Sequence, residues 1–114
     1  MSGVVVHVAE AEAEAERQST ILRNVLNLRA DLGPDVPVEL VAHGPGVVLL
    51  TWESGLQAGV AQLVAVGVRP VACLNTLASR ALTPDDLLPE VGTVPSGVGH
   101  LARRQLEGWA YLRP

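Results

Sequence analysis

Gly3-Val4-Val5-Val6-His7-Val8-Ala9 is a short apolar run rich in β-branched residues, with one histidine inside it. A strand wet on one face alternates apolar with polar residues, whereas one covered on both faces stays apolar at successive positions, as in parallel sheets sandwiched by helices. The pattern recurs downstream. Val38 to His43 and Pro70 to Cys73 are of the same kind, Val91 to Val94 is a briefer version, and Trp109 to Leu112 is a fifth. Pro70 has no N–H to give to a ladder, so it belongs at the start of its strand or beside an unpaired position.

Helical signals fill the gaps. Ile21, Val25, Leu28 and Leu32 repeat at helical spacing, Leu22 and Leu26 widen the stripe, and Gly33-Pro34 supplies a stop. The preceding stretch, Ala9 to Glu16, alternates Ala and Glu. Both are helix formers, so it reads as a loop running into the helix, with its acids matched to the positive end of the helix dipole. Val47 to Trp52 reads as a short helix. Leu56, Val60, Leu63 and Val64 mark another, with Ser54 as its expected cap and Gly67 as its stop. Asn75-Thr76 opens a short helix through about Arg80, and Thr83-Pro84-Asp85-Asp86 has the form of a capping box. Pro95-Ser96-Gly97 leads into a last helix expected to present Val98, Leu101, Ala102 and Gln105 on one side, stopped by Gly108. Strands alternating with helices throughout predict an α/β fold, a parallel sheet with helices on both faces.

At 114 residues the chain is of the size of one core, and no linker or internal repeat divides it, so residues 1–114 are expected to form a single domain. Hydrophobic residues make up 48% and charged residues only 18%, less than the usual quarter, which points to surface covered by a partner. A homo-oligomer meets that need most simply. A net charge of -4, with eight Arg, no Lys and no basic stripe, argues against nucleic acid. No apolar run has the length of a membrane span and the N-terminus lacks the form of a signal peptide, so a cytoplasmic location and no membrane partner are expected. The single cysteine fits a reducing compartment.

In open parallel sheets, ligands bind beyond the C-terminal ends of the strands, where strand-to-helix loops meet helix N-termini. Three loops there carry suitable residues: His43, Gly44 and Gly46 after the second strand, Cys73, Asn75 and Thr76 after the third, and Ser96 and Gly97 after the fourth. Cys73 stands out, because a thiolate between a strand end and a helix N-terminus is stabilised by the dipole and by backbone N–H groups. The same residue type also packs as a small buried hydrophobe. His43 can act as a base or hold an anion, or simply bond a turn. His7 is expected to be a satisfied core residue and His100 a solvated one. One cysteine and three dispersed histidines offer no zinc spacing, and no metal or cofactor is expected. The Gly44-Pro45-Gly46 turn lacks the Lys and hydroxyl residue of a phosphate-binding loop, and Ser96 with His43 lacks both the nucleophile elbow and a carboxylate.

The segments Asn24-Val25-Leu26-Asn27-Leu28, Val41-Ala42-His43-Gly44-Pro45-Gly46-Val47, Ala72-Cys73-Leu74-Asn75-Thr76-Leu77, Val94-Pro95-Ser96-Gly97-Val98 and the closing Gln105 to Pro114 resemble the DsrE/DsrF-like family, in order and over nearly the whole chain. The resemblance implies a three-layer α/β/α domain with a five-stranded parallel sheet, and homotrimers or homohexamers. Better-understood members carry sulfur as a persulfide on a cysteine in relays, and Cys73 resembles that cysteine by position. This chain looks closest to the short, single-gene branch, and with no second cysteine any transfer would need a sulfur-donor or sulfur-acceptor protein. Two functions are therefore expected as alternatives: a sulfur carrier or sulfurtransferase acting through Cys73, or a non-catalytic homo-oligomeric module that binds a small anion at the C-terminal edge of the sheet.

Overall fold

In the computed structural model, which describes residues 2–10 and 15–114, the five expected strands pair into one all-parallel sheet in the order β4-β3-β2-β1-β5. They are β1 (Val4–Val8), β2 (Val38–Ala42), β3 (Arg69–Cys73), β4 (Gly92–Val94) and β5 (Ala110–Leu112). Between them run helices α1 (Ala15–Leu32), α2 (Gln57–Ala65), α3 (Leu74–Ser79) and α4 (Gly97–Leu106). Most of the Ala–Glu alternation that precedes α1 lies outside the described residues.

The chain steps outward from β1 to β4 and then crosses the whole sheet to lay β5 on the other side of β1. Parallel crossovers are right-handed, so α1, α2 and α3 fall on one face and α4, which makes the return, on the other. The packing agrees. Val4, Val6, Val8, Leu40, Ala42 and Ala72 meet residues of α1, α2 and the following turns in the larger core. Val5, Val41 and Val71 meet Leu101 and Trp109 in a smaller one. Side chains alternate along a strand, and the register sets Val5 beside Glu39 and Tyr111 and His7 beside Val41.

Local chemistry accounts for most boundaries. Gly33, Gly67 and Gly108 all take positive φ at the ends of helices, where a Cβ would be strained. The stretch expected to be helical after β2 is a 3-10 helix over Gly44–Leu50 whose Val47, Val48, Leu49 and Leu50 are all buried. Thr83, Pro84 and Asp86 form the expected capping box around a single 3-10 turn.

Three expectations need correction. Ser54 does not cap α2 itself: its Oγ accepts the N–H of Leu56, and the helix begins one residue later. Helix α4 does not bury the side of Val98, Ala102 and Gln105. It buries Gly97, His100 and Leu101, leaving Val98 59% exposed. His100, expected in solvent, is 8% exposed, with Nε2 hydrogen-bonded to Glu39 Oε1 at 2.7 Å. The cause is Glu39. Its carboxylate, 3% exposed on β2, also accepts from Arg104 Nε at 3.1 Å and Nη2 at 3.0 Å and from Arg69 Nη1 at 3.3 Å. A buried acid must be paired, and turning α4 to offer His100 and Arg104 sets the helix's rotation. The Arg104 guanidinium then lies 4.4 Å from the centroid of the Trp109 ring, closing the edge of this small core.

Candidate functional site

Adjacent strand ends whose loops depart to opposite faces leave a crevice between them. Here those strands are β3, which feeds α3 on one face, and β4, which feeds α4 on the other. Cys73 and Val94 are register partners at this point. Cys73 is the N-cap of α3, and Ser96 is the N-cap of α4.

The Cys73 side chain is buried, 4% exposed, yet its surroundings are not hydrocarbon. Burial pushes the thiol pKa up, but the Thr76 hydroxyl and the backbone N–H groups of Gly97, Thr76 and Asn75 outweigh it, and the net shift is downward from 9.0. Thr76 can serve the sulfur because its own acceptor is filled: Oγ1 accepts the N–H of Gly44 at 2.9 Å, which leaves its proton free to point elsewhere. The N–H of Asn75 is shared with Pro95 O at 3.2 Å, tying the β3 loop to the β4 loop and weakening its pull on the sulfur.

Gly97 forms the roof. A Cβ placed there would stand 2.9 Å from His43 Cβ, 3.2 Å from Cys73 Cβ and 3.7 Å from Cys73 Sγ. Only a residue without a side chain lets the β4 loop come down between the histidine and the thiol and deliver its N–H. The first turn of α4 is thus packed onto the cysteine.

His43, half-buried at the end of β2, hydrogen-bonds through Nδ1 to Nε2 of His7 at 2.7 Å, and His7 Nδ1 bonds the Tyr111 hydroxyl at 2.7 Å. The His7 and His43 rings stack with centroids 4.8 Å apart. His7 is the satisfied core residue expected, but its satisfaction comes from His43 and from β5. Burial, then the neighbouring His43 and Arg113, hold its pKa below 6.5, while Glu10 pulls the other way.

Of the residues expected here, His43, Gly44, Thr76 and Gly97 gather around Cys73. Asn75 contributes backbone, its side chain being exposed. The Ser96 hydroxyl accepts the N–H of Gly99 at 3.1 Å and so serves its helix. Gly46 packs instead on β1, where a Cβ would meet Val8 O at 2.4 Å. His7 and Tyr111 went unread as a pair with His43, since only the β1–β5 register brings them together. An apolar groove of about 310 Å³ between α1 and β5, lined by Val6, Val25, Leu28 and Leu112, does not reach the cysteine. Among the described residues no cluster of three or more His, Cys, Asp or Glu could hold a metal ion, and no helix is long and apolar enough to cross a membrane.

Residues 3–114 match the model of the DsrE/DsrF-like family. Among solved structures, the chain is similar to the protein of unknown function MTH1491 from Methanobacterium thermoautotrophicum, at 44% identity, with all of both chains covered and a TM-score of 0.89. It also shares the fold of the ychN protein from E. coli, at 18% identity, full coverage of both chains and a TM-score of 0.82. No curated protein matches it.

Proposed function

Because the chain belongs to the DsrE/DsrF-like family, we propose that it carries sulfur as a persulfide on Cys73, taking it from one protein or small persulfide and handing it to another. The observation that supports this reading is the donor set around the sulfur. A buried cysteine packed as a hydrophobe is inert and has a raised pKa, whereas Cys73 is held by a hydroxyl and backbone N–H groups that favour the thiolate. The thiolate is both the nucleophile that accepts sulfur and the leaving group that releases it. In loading, Cys73 Sγ⁻ attacks the outer sulfur of a donor R–S–SH. The new S–S bond forms on Cys73 as the donor's breaks, and R–S⁻ leaves to take up a proton. In unloading, an acceptor thiolate attacks the outer sulfur of Cys73–S–SH and the Cys73 thiolate departs. The chain holds no second cysteine, so the acceptor comes from outside it.

The roof formed by Gly97 restricts the approach to Sγ, so loading calls for displacement of the first turn of α4 or entry past His43. The reading extends to assembly as a homotrimer or homohexamer, supported by the exposed apolar side chains Val98 and Leu106 of α4. Light scattering checks it, and a monomer at micromolar concentration would count against it. The converging N–H groups of Asn75, Thr76 and Gly97 also suit a second reading, a pocket for a small anion in which Cys73 is a bystander.

Intact mass after incubation with a persulfide donor decides between them. The carrier gains one sulfur atom, removable by a thiol, and Cys73→Ser gains none. Alkylation rate against pH should give an apparent thiol pKa below the ordinary value of about 8.5. A pKa at or above that value together with no gain in mass would overturn the reading, and unchanged sulfur-oxyanion binding by Cys73→Ser would favour the second.

A further inference from the structure

Tyr111, His7 and His43 come from β5, β1 and the end of β2, and the two 2.7 Å hydrogen bonds that join them are in series. One end of the series is wet: Tyr111 is 40% exposed on the edge strand. The middle is dry, with His7 8% exposed. The other end is His43, whose Cβ flanks the same Gly97 as the Cys73 side chain and whose Nε2 has no hydrogen-bond partner among the described residues.

A neutral imidazole carries one donor and one acceptor, and a hydroxyl can do either. In a neutral series, therefore, the two bonds cannot be oriented independently. If Tyr111 donates to His7 Nδ1, then His7 Nε2–H donates to His43 Nδ1, and His43 must carry its proton on Nε2. If instead His43 Nδ1–H donates to His7 Nε2, then His7 Nδ1–H donates to Tyr111, whose own proton faces solvent, and His43 Nε2 is a bare lone pair. Both rings always hold the same tautomer, and the two states differ by which end presents a proton.

We infer that Tyr111, His7 and His43 form a proton relay between solvent at the β5 edge and the sulfur pocket at the end of β3. The inference rests on the persulfide reading for its use, since sulfur transfer needs a proton moved in each half. In loading, the departing R–S⁻ takes the proton of His43 Nε2. His43 Nδ1 receives one from His7 Nε2, His7 Nδ1 receives one from Tyr111, and Tyr111 takes one from water. In unloading, an acceptor R′–SH gives its proton to His43 Nε2 and the series runs back, releasing one from Tyr111 to water. Each half restores the state the other requires, and Cys73 enters loading and leaves unloading as the thiolate.

The relay needs His7 uncharged, and its surroundings keep it so: burial, His43 and Arg113 all disfavour the cation, with Glu10 alone opposing. A direct positive charge on His7 would turn both its nitrogens into donors and break the series. His7 and Tyr111 are positioning residues in this scheme, and His43 is the group that meets the reacting sulfur.

Two measurements test the relay separately from the carrier reading. The first uses the wild-type protein without any sulfur donor: long-range proton–nitrogen correlation spectra should show His7 and His43 in the same tautomer at pH 7.5, and Tyr111→Phe should change the tautomer balance of His43, with which Tyr111 makes no contact. Opposite tautomers in the two rings, or a His43 indifferent to Tyr111→Phe, would overturn the relay. The second follows sulfur transfer from preloaded protein to a small thiol. General acid–base assistance is worth 10² to 10⁴ in rate, and cutting only the far end while His43 remains should slow transfer about tenfold at low buffer, with recovery as imidazole buffer is raised. His7→Phe, which keeps a buried ring that carries no proton, should match Tyr111→Phe. Equal rates for wild type and Tyr111→Phe at every buffer concentration would sink the relay and leave the carrier standing. A wild type that never loads sulfur would remove the carrier, and the tautomer result alone would then judge the relay.

Discussion

The two faces of the sheet are made to different standards. Strand residues that face α1, α2 and α3 are Val4, Val6, Val8, Val38, Leu40, Ala42, Pro70 and Ala72, with no ionisable group among them. Their neighbours one position along face α4, and they include His7, Glu39, Arg69 and Cys73 beside Val5, Val41 and Val71. Every ionisable residue of the three central strands is thus on the side covered by a single helix. A face sealed by three helices can be stabilised by area alone, whereas a face with one helix has room and solvent near enough to keep charges. The first face is wholly apolar, and the second holds the ionisable groups. Substitutions can break that division of labour or sharpen it.

The largest expected effect is on the sealed face. Leu40 is fully buried against the larger core. Leu40→Ala removes its packing and leaves a void, at a cost of about 3 kcal/mol. Denaturant unfolding should show the loss, while the pH profile of Cys73 alkylation stays where it is in the folded protein. A shift in that profile would mean that the faces are not separable.

On the α4 face, Glu39→Gln keeps the shape and removes the charge on which His100, Arg104 and Arg69 converge. Loss of one member of a buried ion pair costs about 3 to 5 kcal/mol. Since the Arg104 and Arg69 side chains are 24% and 56% exposed and can turn to water, about 2 kcal/mol is expected here. The effect should depend on pH with a definite sign. Burial pushes the Glu39 carboxyl up, but Arg104 and His100 outweigh it and hold it below its ordinary 4.5. The native state therefore binds fewer protons than the unfolded one in the acid range, so the stabilisation is complete above about pH 4.5 and is lost as pH falls through the depressed native value. The gap between wild type and Glu39→Gln should be full at pH 7 and should shrink below about pH 4.5, closing as the depressed native value is passed. A gap that stays full in strong acid would show that Glu39 is not the charged partner in the native state.

The same asymmetry explains what was legible in the amino-acid order. Val4 to Val8 and Ile21 to Leu32 announce their elements by periodicity, and Gly33, Thr83 and Gly108 announce boundaries by backbone chemistry, because each signal is local. The site loops were legible for a related reason: Cys73, His43 and Gly97 all follow strands, and parallel strands bring their ends to one edge. The rotation of α4 was not. It is decided by Glu39, whose partners lie 30, 61 and 65 residues away. A lone acid in the apolar run Val38 to Ala42 was the available signal, since burial demands cations and His100 and Arg104 share a helical face. The His7–Tyr111 bond, spanning 104 residues, depends on β5 pairing with β1 rather than extending the sheet beyond β4, a choice that no local pattern records.

The smallest expected loss in stability comes with the sharpest change in chemistry. Thr76→Val is close in shape and removes one hydroxyl, which both accepts the N–H of Gly44 and favours the Cys73 thiolate. The fold should lose about 1 kcal/mol, the usual net worth of one hydrogen bond. Cys73 should lose its strongest stabilising partner, so its pKa rises while burial and the three backbone N–H groups stay in place. Alkylation at pH 7, which reports the thiolate fraction, should slow several-fold while the fully ionised rate at high pH is unchanged. Thr76→Ser, which restores the hydroxyl without the methyl, should recover the wild-type profile. If Val and Ser variants share one pH profile, the thiolate is held by the backbone alone. Leu40→Ala and Thr76→Val together then give a double dissociation: a large cost with no change in the thiol on one face, and a small cost with a changed thiol on the other.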